Sequence, residues 1–263
     1  MSGLPFEKWQ GLGNDFIVAF EQDGWRRDDG ARAEALCDRH RGIGADGLLV
    51  VGTAPASMTV FNADGSISEM CGNGLRCVAA AVAARTGAAD WFDIATGAGP
   101  HATRRCGSGE VELLMPLPRL VEDAAGSALV RPRSGLDTYG YRVSTGNPHW
   151  VFLDLQGAPD IAVAGPILEH DPQFPDRVNV EFVRRLSDGA FRVDVWERGC
   201  GQTQACGTGA AAVAEVLRAT GRLGDAASVT VELPGGRLHF AWQGERLLMR
   251  GPAVKVFAGS VTR

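Results

Sequence analysis

Lysine is almost absent from this chain of 263 residues: of 26 basic residues, all but Lys8 and Lys255 are arginine. An enzyme that uses pyridoxal phosphate forms a Schiff base through a reactive lysine. With two lysines, both near the ends of the chain, the sequence offers little for that chemistry. We therefore do not expect a pyridoxal phosphate enzyme.

Features of nucleic-acid-binding, membrane and secreted proteins are also missing. The formal net charge is −5 and there is no basic run, so neither nucleic acid nor an anionic membrane is an expected partner. No apolar run approaches the roughly 18 residues of a spanning helix, and no N-terminal segment has a signal-peptide pattern. The six cysteines are then expected to be thiols. These absences predict a cytoplasmic globular protein.

What the sequence does contain is an unusual loop around Cys71. The run Cys71-Gly72-Asn73-Gly74 precedes an Ala/Val-rich segment, 78–84, so we predict a sharp turn into a helix. The first N–H groups of a helix lack intrahelical partners, and the helix dipole adds partial positive charge there. Both effects favour a thiolate and create a seat for an anion.

The same kind of loop occurs again as Cys206-Gly207-Thr208-Gly209, before segment 210–217. Further matches share an offset of 133 to 135 residues: Gly13-Asn14 with Gly146-Asn147, Pro100 with Pro234, and Leu113–Met115 with Leu247–Met249. The common offset indicates an internal repeat. We predict two homologous domains, 1–125 carrying Cys71 and 126–263 carrying Cys206, with the extreme C-terminal strand able to pack back on the first half.

The predicted fold is α+β. Strands dominate each half, so we expect two similar domains, each a curled, mostly antiparallel sheet wrapped around a central helix. A pseudo-two-fold axis would relate the domains and place the active site in the cleft between them. A further helix is predicted over 28–39, with Ala31, Ala35, Leu36 and Cys37 on one face.

Three interpretations of the two cysteine loops compete. The cysteines could be small buried residues at glycine-rich helix starts. Cys71, Cys77, Cys200 and Cys206 could instead bind a metal. Structural zinc prefers more closely spaced pairs, however, and the repeat relates Cys71 to Cys206, not to Cys200. The third interpretation is acid–base catalysis by two thiols at one carbon.

Acid–base catalysis fits best. A thiolate on one face of a stereocentre can remove a proton while a thiol on the other face delivers one, which inverts the centre. Because the α-proton of an amino acid is very weakly acidic, the charge that develops on its carboxylate must be stabilised. The N–H groups of two helix ends would do so. This chemistry needs neither a metal nor an organic cofactor.

Seven motifs follow one another along the chain: Gly11–Phe16, Phe61–Ser66, Met70–Cys77, Gly146–His149, Arg177–Val180, Glu197–Gly199 and Ala205–Gly209. Singly they are weak, but together and in order they are highly specific. They resemble the diaminopimelate epimerase family, and the match runs from end to end. The resemblance implies reversible conversion of LL- to meso-2,6-diaminopimelate, on the route to lysine and peptidoglycan, without a cofactor. It also implies a homodimer.

The resemblance also implies roles for site residues. Cys71 and Cys206 would be the acid–base pair, with His149 and Glu197 tuning the pKa values of the thiols. The reacting carboxylate would be held by backbone N–H groups of Gly72, Asn73, Gly207 and Thr208. The amino and carboxylate groups, chiefly of the non-reacting centre, would be bound by Asn14, Asn62, Asn147, Asn179, Glu197 and Arg198. An arginine suits this because a guanidinium pairs a carboxylate through two hydrogen bonds.

Several of these residues also have structural explanations. The asparagines Asn14, Asn62 and Asn147 lie in predicted turns, where Asn is favoured for its hydrogen bonds to the backbone. Glu197-Arg198 could be an exposed ion pair, and His149 a residue at a strand start. Asn179 lies in an otherwise apolar strand, where an unpaired amide is costly, so it is the more suggestive candidate.

Three positions depart from the family pattern. Gly47 stands where a ligand-contacting Gln is common, Trp150 where a small residue or Cys is common, and Gln202 where a Glu is common. A related cofactor-independent racemase for another amino acid therefore remains an alternative. Another is a non-catalytic member of the fold that binds a small acid, although retention of both cysteines argues against it. No role is predicted for Cys37, Cys77, Cys106 or Cys200.

Overall fold

The computed structural model describes residues 3–107, 109–123, 125–154 and 160–262. The chain divides into two compact units, Met1–Leu114 with Arg250–Arg263, and Met115–Met249. The first unit thus ends before the predicted boundary at 125, and the extreme C-terminal strand was already expected to be able to pack back on the first half.

As far as residue 116 the described chain consists mainly of strands, with two α-helices between groups of them. In chain order they are β1 (Leu4–Gly11), β2 (Asn14–Phe20), α1 (Gly30–Cys37), β3 (Gly47–Thr53), β4 (Ala56–Asn62), β5 (Ile67–Ser68), α2 (Gly72–Thr86), β6 (Phe92–Thr96), β7 (Gly99–Arg105) and β8 (Glu110–Pro116). Neighbours β1–β2, β3–β4, β6–β7 and β7–β8 are antiparallel. The helices α1 and α2 are the crossovers of the parallel pairs β2–β3 and β4–β6.

The rest of the chain repeats this plan. It forms β9 (Arg119–Leu120), β10 (Leu129–Val130), β11 (Gly140–Ser144), β12 (Pro148–Leu153), α3 (Ile161–Glu169), β13 (Asn179–Arg185), β14 (Phe191–Glu197), β15 (Gly201–Gln202), α4 (Gly207–Ala219), β16 (Ser228–Leu233), β17 (Gly236–Gln243), β18 (Arg246–Pro252) and β19 (Val254–Val261). Again β11–β12 and β13–β14 are antiparallel, whereas α3 and α4 connect the parallel pairs β12–β13 and β14–β16. The predicted α+β repeat is confirmed. The C-terminal strand β19 pairs antiparallel with β1.

Strand β3 is covered on both faces. The run Leu48–Val51 is buried throughout, as expected for a strand with helices on both sides. Leu48 and Val50 pack in the cluster that contains Ala33 and Cys37 of α1. The face of α1 predicted from the sequence was partly wrong, because Ala31 and Ala35 are exposed.

The central helices α2 and α4 are buried almost all round, which their small apolar side chains allow. They fix where the two cysteine loops lie, each at the start of a buried helix. In the part of the chain that the structure describes, no helix is both long and apolar enough to cross a membrane.

Candidate active site

Cys71 is the N-cap residue of α2. Its backbone is extended (φ −137°, ψ 114°), and its Sγ accepts a hydrogen bond from the Gly74 N–H at 3.5 Å. Its carbonyl accepts the first helical hydrogen bond, from Leu75 N–H at 2.7 Å. The half-buried thiol therefore takes the place that Ser or Asp holds at most helix starts.

Cys206 caps α4 in the same way. Its backbone is extended (φ −116°, ψ 107°), and its Sγ accepts from the Gly209 N–H at 3.4 Å. The Thr208 hydroxyl lies 3.4 Å from the same sulfur. The two loops that the repeat predicted thus have matching local geometry.

Asn14 and Asn73 lie beside Cys71. The Cys71 Sγ is 3.9 Å from Asn14 Oδ1, which also accepts from Asn73 Nδ2 at 3.2 Å. A two-residue hairpin turn sets the position of Asn14, because Leu12 and Gly13 both have positive φ (58° and 82°). These two predicted site residues are brought together with the thiol.

Lys8, one of the two lysines, lies in a cluster of charged side chains next to Asn14. Asn14 Nδ2 donates to Asp46, and the buried Lys8 lies 2.6 Å from Asp15. Arg39 bridges Asp15 and Asp46 at 2.6 and 2.7 Å. Lys8 is thus held in an ion pair within the fold.

Asn62 is exposed at the end of β4. Its amide donates to Ser66 Oγ at 2.9 Å within the turn, the kind of bond expected of a structural Asn. Opposite it in the sheet lies Gly47, where a Cβ would come within 2.7 Å of the Phe61 carbonyl oxygen. The close approach of the Phe61 carbonyl oxygen explains why glycine stands at position 47. Substrate binding by Asn62 stays a prediction.

A buried chain of polar groups lies at the start of α4. His149 Nδ1 is 2.6 Å from Glu181 Oε1, and both side chains are fully buried. His149 Nε2 is 3.2 Å from Asn147 Oδ1, which also accepts from Thr145 Oγ1 at 2.7 Å. The structure thus joins two predicted site residues, Asn147 and His149, to a carboxylate that the sequence analysis did not name.

Glu181 could have been found by the argument applied to Asn179. It lies two residues later in the same apolar strand and therefore faces the same side. Its Oε2 is buried without a hydrogen-bond partner among the described residues. A Cβ on Gly209 would come within 2.6 Å of Glu181 Oε1, whereas at the matching Gly74 the neighbour is Leu49.

Glu197 is hydrogen-bonded to the Cys206 thiol and to the Thr203 hydroxyl. Burial raises the pKa of Glu197, and the nearby Glu181 carboxylate acts in the same direction. Burial also raises the pKa of Cys206 well above its ordinary value, with Glu197 and Glu181 adding to the effect.

The expected preference of the helix start for a thiolate does not hold at Cys206. The bonds from Gly209 N–H and Thr208 do lower the pKa of the thiol, but burial and the two carboxylates outweigh them. Cys206 is therefore held as a thiol, the form that can donate a proton.

Asn179 links two motif loops. Its Nδ2 donates to the Pro148 carbonyl oxygen, and its Oδ1 accepts the Arg198 N–H, both at 2.9 Å. The buried amide is thus paired with backbone groups, so the cost of an unpaired amide, for which Asn179 was noted, is avoided. Arg198 is exposed, and its Nη1 donates to the Asp176 carbonyl oxygen at 3.0 Å. Within the described ranges its guanidinium has no carboxylate partner, so the ion pair with Glu197 considered above is not formed.

Glu169, at the end of α3, braces the loop that carries Glu197 and Arg198. It accepts hydrogen bonds from the Trp196 indole at 2.7 Å and from Gly199 N–H at 2.9 Å. Nothing in the sequence pattern singles out Glu169, because an acid at the end of an apolar helix is usually solvent-exposed.

The other two departures, Trp150 and Gln202, lie in different surroundings. Trp150 is fully buried in the cluster that packs α3, with ring contacts to Phe152 and Phe174. On a strand its side chain points opposite to His149. Gln202 is exposed in β15.

All six cysteines are free thiols. Burial raises the pKa of Cys37 to about 11 and that of Cys77 to about 12. Among the residues that the structure describes, no group of three or more His, Cys, Asp or Glu side chains could hold a metal ion.

Solved structures share this fold over nearly the whole chain. A phenazine biosynthesis protein of the PhzF family from Bacillus anthracis has a TM-score of 0.72 at 15% identity, covering 100% of both chains. A hydroxyproline epimerase from Agrobacterium vitis has a TM-score of 0.67 at 17% identity, covering 98% of this chain and 90% of that one. The chain therefore shares the overall fold of these proteins.

The family can be stated more narrowly. The family model described as diaminopimelate epimerase matches residues 6–120 and 141–256. Diaminopimelate epimerases from Thermosynechococcus vestitus and a Synechococcus species are 41% and 42% identical, each over 98% of this chain and over 99% and 98% of their own lengths. The chain belongs to the diaminopimelate epimerase family and is an isomerase.

Proposed function

We propose that the protein interconverts LL- and meso-2,6-diaminopimelate without a cofactor, with Cys71 and Cys206 as the acid–base pair. Family membership supports the substrate. The observation that carries the mechanism is the matched capping of α2 and α4 by thiols, each accepting the N–H of the residue three positions on, at 3.5 and 3.4 Å. Inversion of one carbon calls for such a pair.

The proton steps balance between the two thiols. One cysteine, as thiolate, takes the α-proton: the C–H bond breaks, an S–H bond forms, and the electron pair is delocalised into the carboxylate. The other cysteine, as thiol, gives its proton to the opposite face of that carbon. The enzyme is left with thiol and thiolate exchanged, so it is ready for the reverse reaction.

Two sets of groups bind the substrate in this proposal. Backbone N–H groups of Gly72, Asn73, Gly207 and Thr208 receive the charge that develops on the reacting carboxylate, because helix starts favour anions. The far centre is bound by Asn14, Asn62, Asn147, Asn179, Glu197 and Arg198. The exposed guanidinium of Arg198 supports a substrate with a second carboxylate over an ordinary amino acid.

We further propose a cytoplasmic homodimer formed through β19. The free thiols suit a reducing compartment. Along β19 the apolar side chains Val254, Val256 and Phe257 are 44%, 56% and 47% exposed, as an interface patch would be in an isolated subunit. Analytical ultracentrifugation of the protein and of Phe257→Glu tests this, since the substitution should give monomers.

The experiment that tests the function follows α-deuterium incorporation and stereochemistry in D₂O. LL-diaminopimelate is compared with a panel of ordinary L-amino acids on the reduced protein. Exchange and inversion confined to diaminopimelate support the proposal. Exchange with a different amino acid would keep the mechanism and replace the substrate. No exchange at all in a folded protein with free thiols would favour a non-catalytic binder of small acids.

A further inference from the structure

Arg76 is a fully buried guanidinium in the second turn of α2. Its Nη2 donates to Asn73 Oδ1 at 2.8 Å, its Nε to the Pro252 carbonyl oxygen at 3.3 Å, and its Nη1 to the Gly72 carbonyl oxygen at 3.4 Å. Burying a cation is unfavourable unless other groups compensate. Two of these acceptors belong to the two residues that directly follow Cys71.

The backbone around Arg76 is shaped to admit it. A Cβ on Gly11 would come within 3.2 Å of Arg76 Nη2 and 3.3 Å of the Pro252 carbonyl oxygen. Gly11 opens the turn that places Asn14, so one motif leaves room for the side chain of another.

A chain of contacts runs from Arg76 to the sulfur of Cys71. The guanidinium donates to Asn73 Oδ1, Asn73 Nδ2 donates to Asn14 Oδ1 at 3.2 Å, and that oxygen accepts from Cys71 Sγ, when the thiol is protonated, at 3.9 Å. The charge of Arg76 also interacts directly with Cys71 and Cys77. Burial raises the pKa of Cys77 to about 12, so of these two thiols Cys77 stays protonated near neutral pH.

Other charged groups near this loop largely balance one another. Behind Asn14 the two cations Lys8 and Arg39 are paired with the carboxylates of Asp15 and Asp46. Glu69, two residues before Cys71, is exposed and therefore screened by solvent. The buried charge closest to the loop along α2 is that of Arg76.

The geometry points to Arg76 as a positioning residue that holds the Cys71 loop and supplies the positive charge that favours its thiolate. Cys71 is then the base in the resting enzyme, and Cys206, beside the carboxylates of Glu197 and Glu181, is the proton donor. This inference rests on the proposed two-thiol reaction, which it deepens by assigning the starting role of each cysteine. Arg76 acts through Asn73 and Cys71 and does not touch substrate.

The test measures alkylation of individual cysteines by iodoacetamide across the neutral to alkaline range, with peptide mass spectrometry to separate the sites. In Arg76→Gln the midpoint for Cys71 should rise by about one pH unit, which slows its alkylation at neutral pH about tenfold. Arg76→Lys, which keeps the charge but loses the planar fork, should keep the midpoint and lower kcat. The matched control is Arg85→Gln in the same helix, where the arginine pairs with Asp23 near the far end.

Superimposable Cys71 profiles for folded Arg76→Gln and the unaltered protein would overturn the inference, as would equal shifts in Arg85→Gln. If Arg76→Gln does not fold, the unaltered protein still tests which cysteine is the base, because Cys71 should be alkylated at lower pH than Cys206. The reverse order would contradict the assignment. Alkylation needs no turnover, so this result is independent of whether diaminopimelate is the substrate.

Discussion

Arg76 and Ala211 occupy the same position in two equivalent helices, each five residues after the cysteine that caps its helix. Arg76 is a buried cation, and the second unit has a methyl group in its place. Conversely, the second unit has the buried Glu181 where the first has Leu49. The two thiol loops therefore match, whereas the buried charged group differs: it is a guanidinium within α2 in the first unit and a carboxylate against the start of α4 in the second.

Neutralising Glu197 should make Cys206 more reactive. The carboxylate raises the pKa of the thiol, so Glu197→Gln should lower that pKa and increase thiolate at a given pH. We expect alkylation of Cys206 near neutral pH to accelerate several-fold, with about tenfold corresponding to one unit. Glu232→Gln, which neutralises a half-buried acid of the same unit that pairs with Arg192 and Arg237, is the control. Unchanged Cys206 reactivity in Glu197→Gln would show that the carboxylate does not act on the sulfur.

Breaking the buried pair of His149 and Glu181 should destabilise the fold. Glu181→Leu, which copies Leu49 of the first unit, leaves the imidazole buried without its acceptor and should lower the free energy of unfolding by about 3 kcal/mol. Glu181→Gln keeps a hydrogen-bond acceptor and should lower it by about 1 kcal/mol. Urea titrations followed by circular dichroism measure both. Equal stability of the two variants would mean that the hydrogen bond contributes nothing.

Arg198→Lys should raise KM for diaminopimelate about tenfold and change kcat less, because lysine keeps the charge but not two parallel hydrogen bonds. Steady-state kinetics with LL-diaminopimelate measure the split. Arg177→Lys in the neighbouring loop, where the arginine pairs with Glu169, is the control. A fall in kcat at unchanged KM would show that Arg198 does not contribute to substrate binding.

The departure at Trp150 should affect stability and leave substrate choice unaltered. A Cβ on Gly140 would come within 2.6 Å of Trp150 Nε1, so Gly140→Ala should cost about 1–3 kcal/mol through overpacking. Trp150→Cys should relieve that clash, which a double-mutant cycle of unfolding free energies would detect as coupling. Additive effects would show that Gly140 and Trp150 are not coupled. An altered amino-acid preference in Trp150→Cys would show that position 150 affects substrate choice.

Much of the fold follows from local patterns. The Ala-rich segments after the two cysteines predicted α2 and α4, and the repeat predicted that α4 matches α2. Strand β7 is harder to predict because Gly99-Pro100 and two arginines conceal its alternation. The exposed face of α1 was misassigned because alanine fits either environment.

The site was less predictable because several of its contacts join residues distant in sequence. Glu181 becomes notable only when Gly209 brings the start of α4 against it. Arg76 stands in a recognised motif, but its role depends on Gly11 and Pro252, which lie 65 residues before it and 176 after it in the chain. Asn179 was noticed for the right physical reason, and its partners turned out to be backbone groups.

Disulfide trapping tests the central claim that two thiols serve one carbon. Mild oxidation of the reduced protein should link Cys71 to Cys206, abolish turnover of LL-diaminopimelate, and be reversed by a reducing agent. Peptide mass spectrometry identifies the linked pair, and Cys200→Ser excludes the exposed cysteine. The account predicts loss and recovery of activity in step with the Cys71–Cys206 link. An active enzyme in which these cysteines never cross-link, or in which either Cys→Ser variant keeps full turnover, would contradict it.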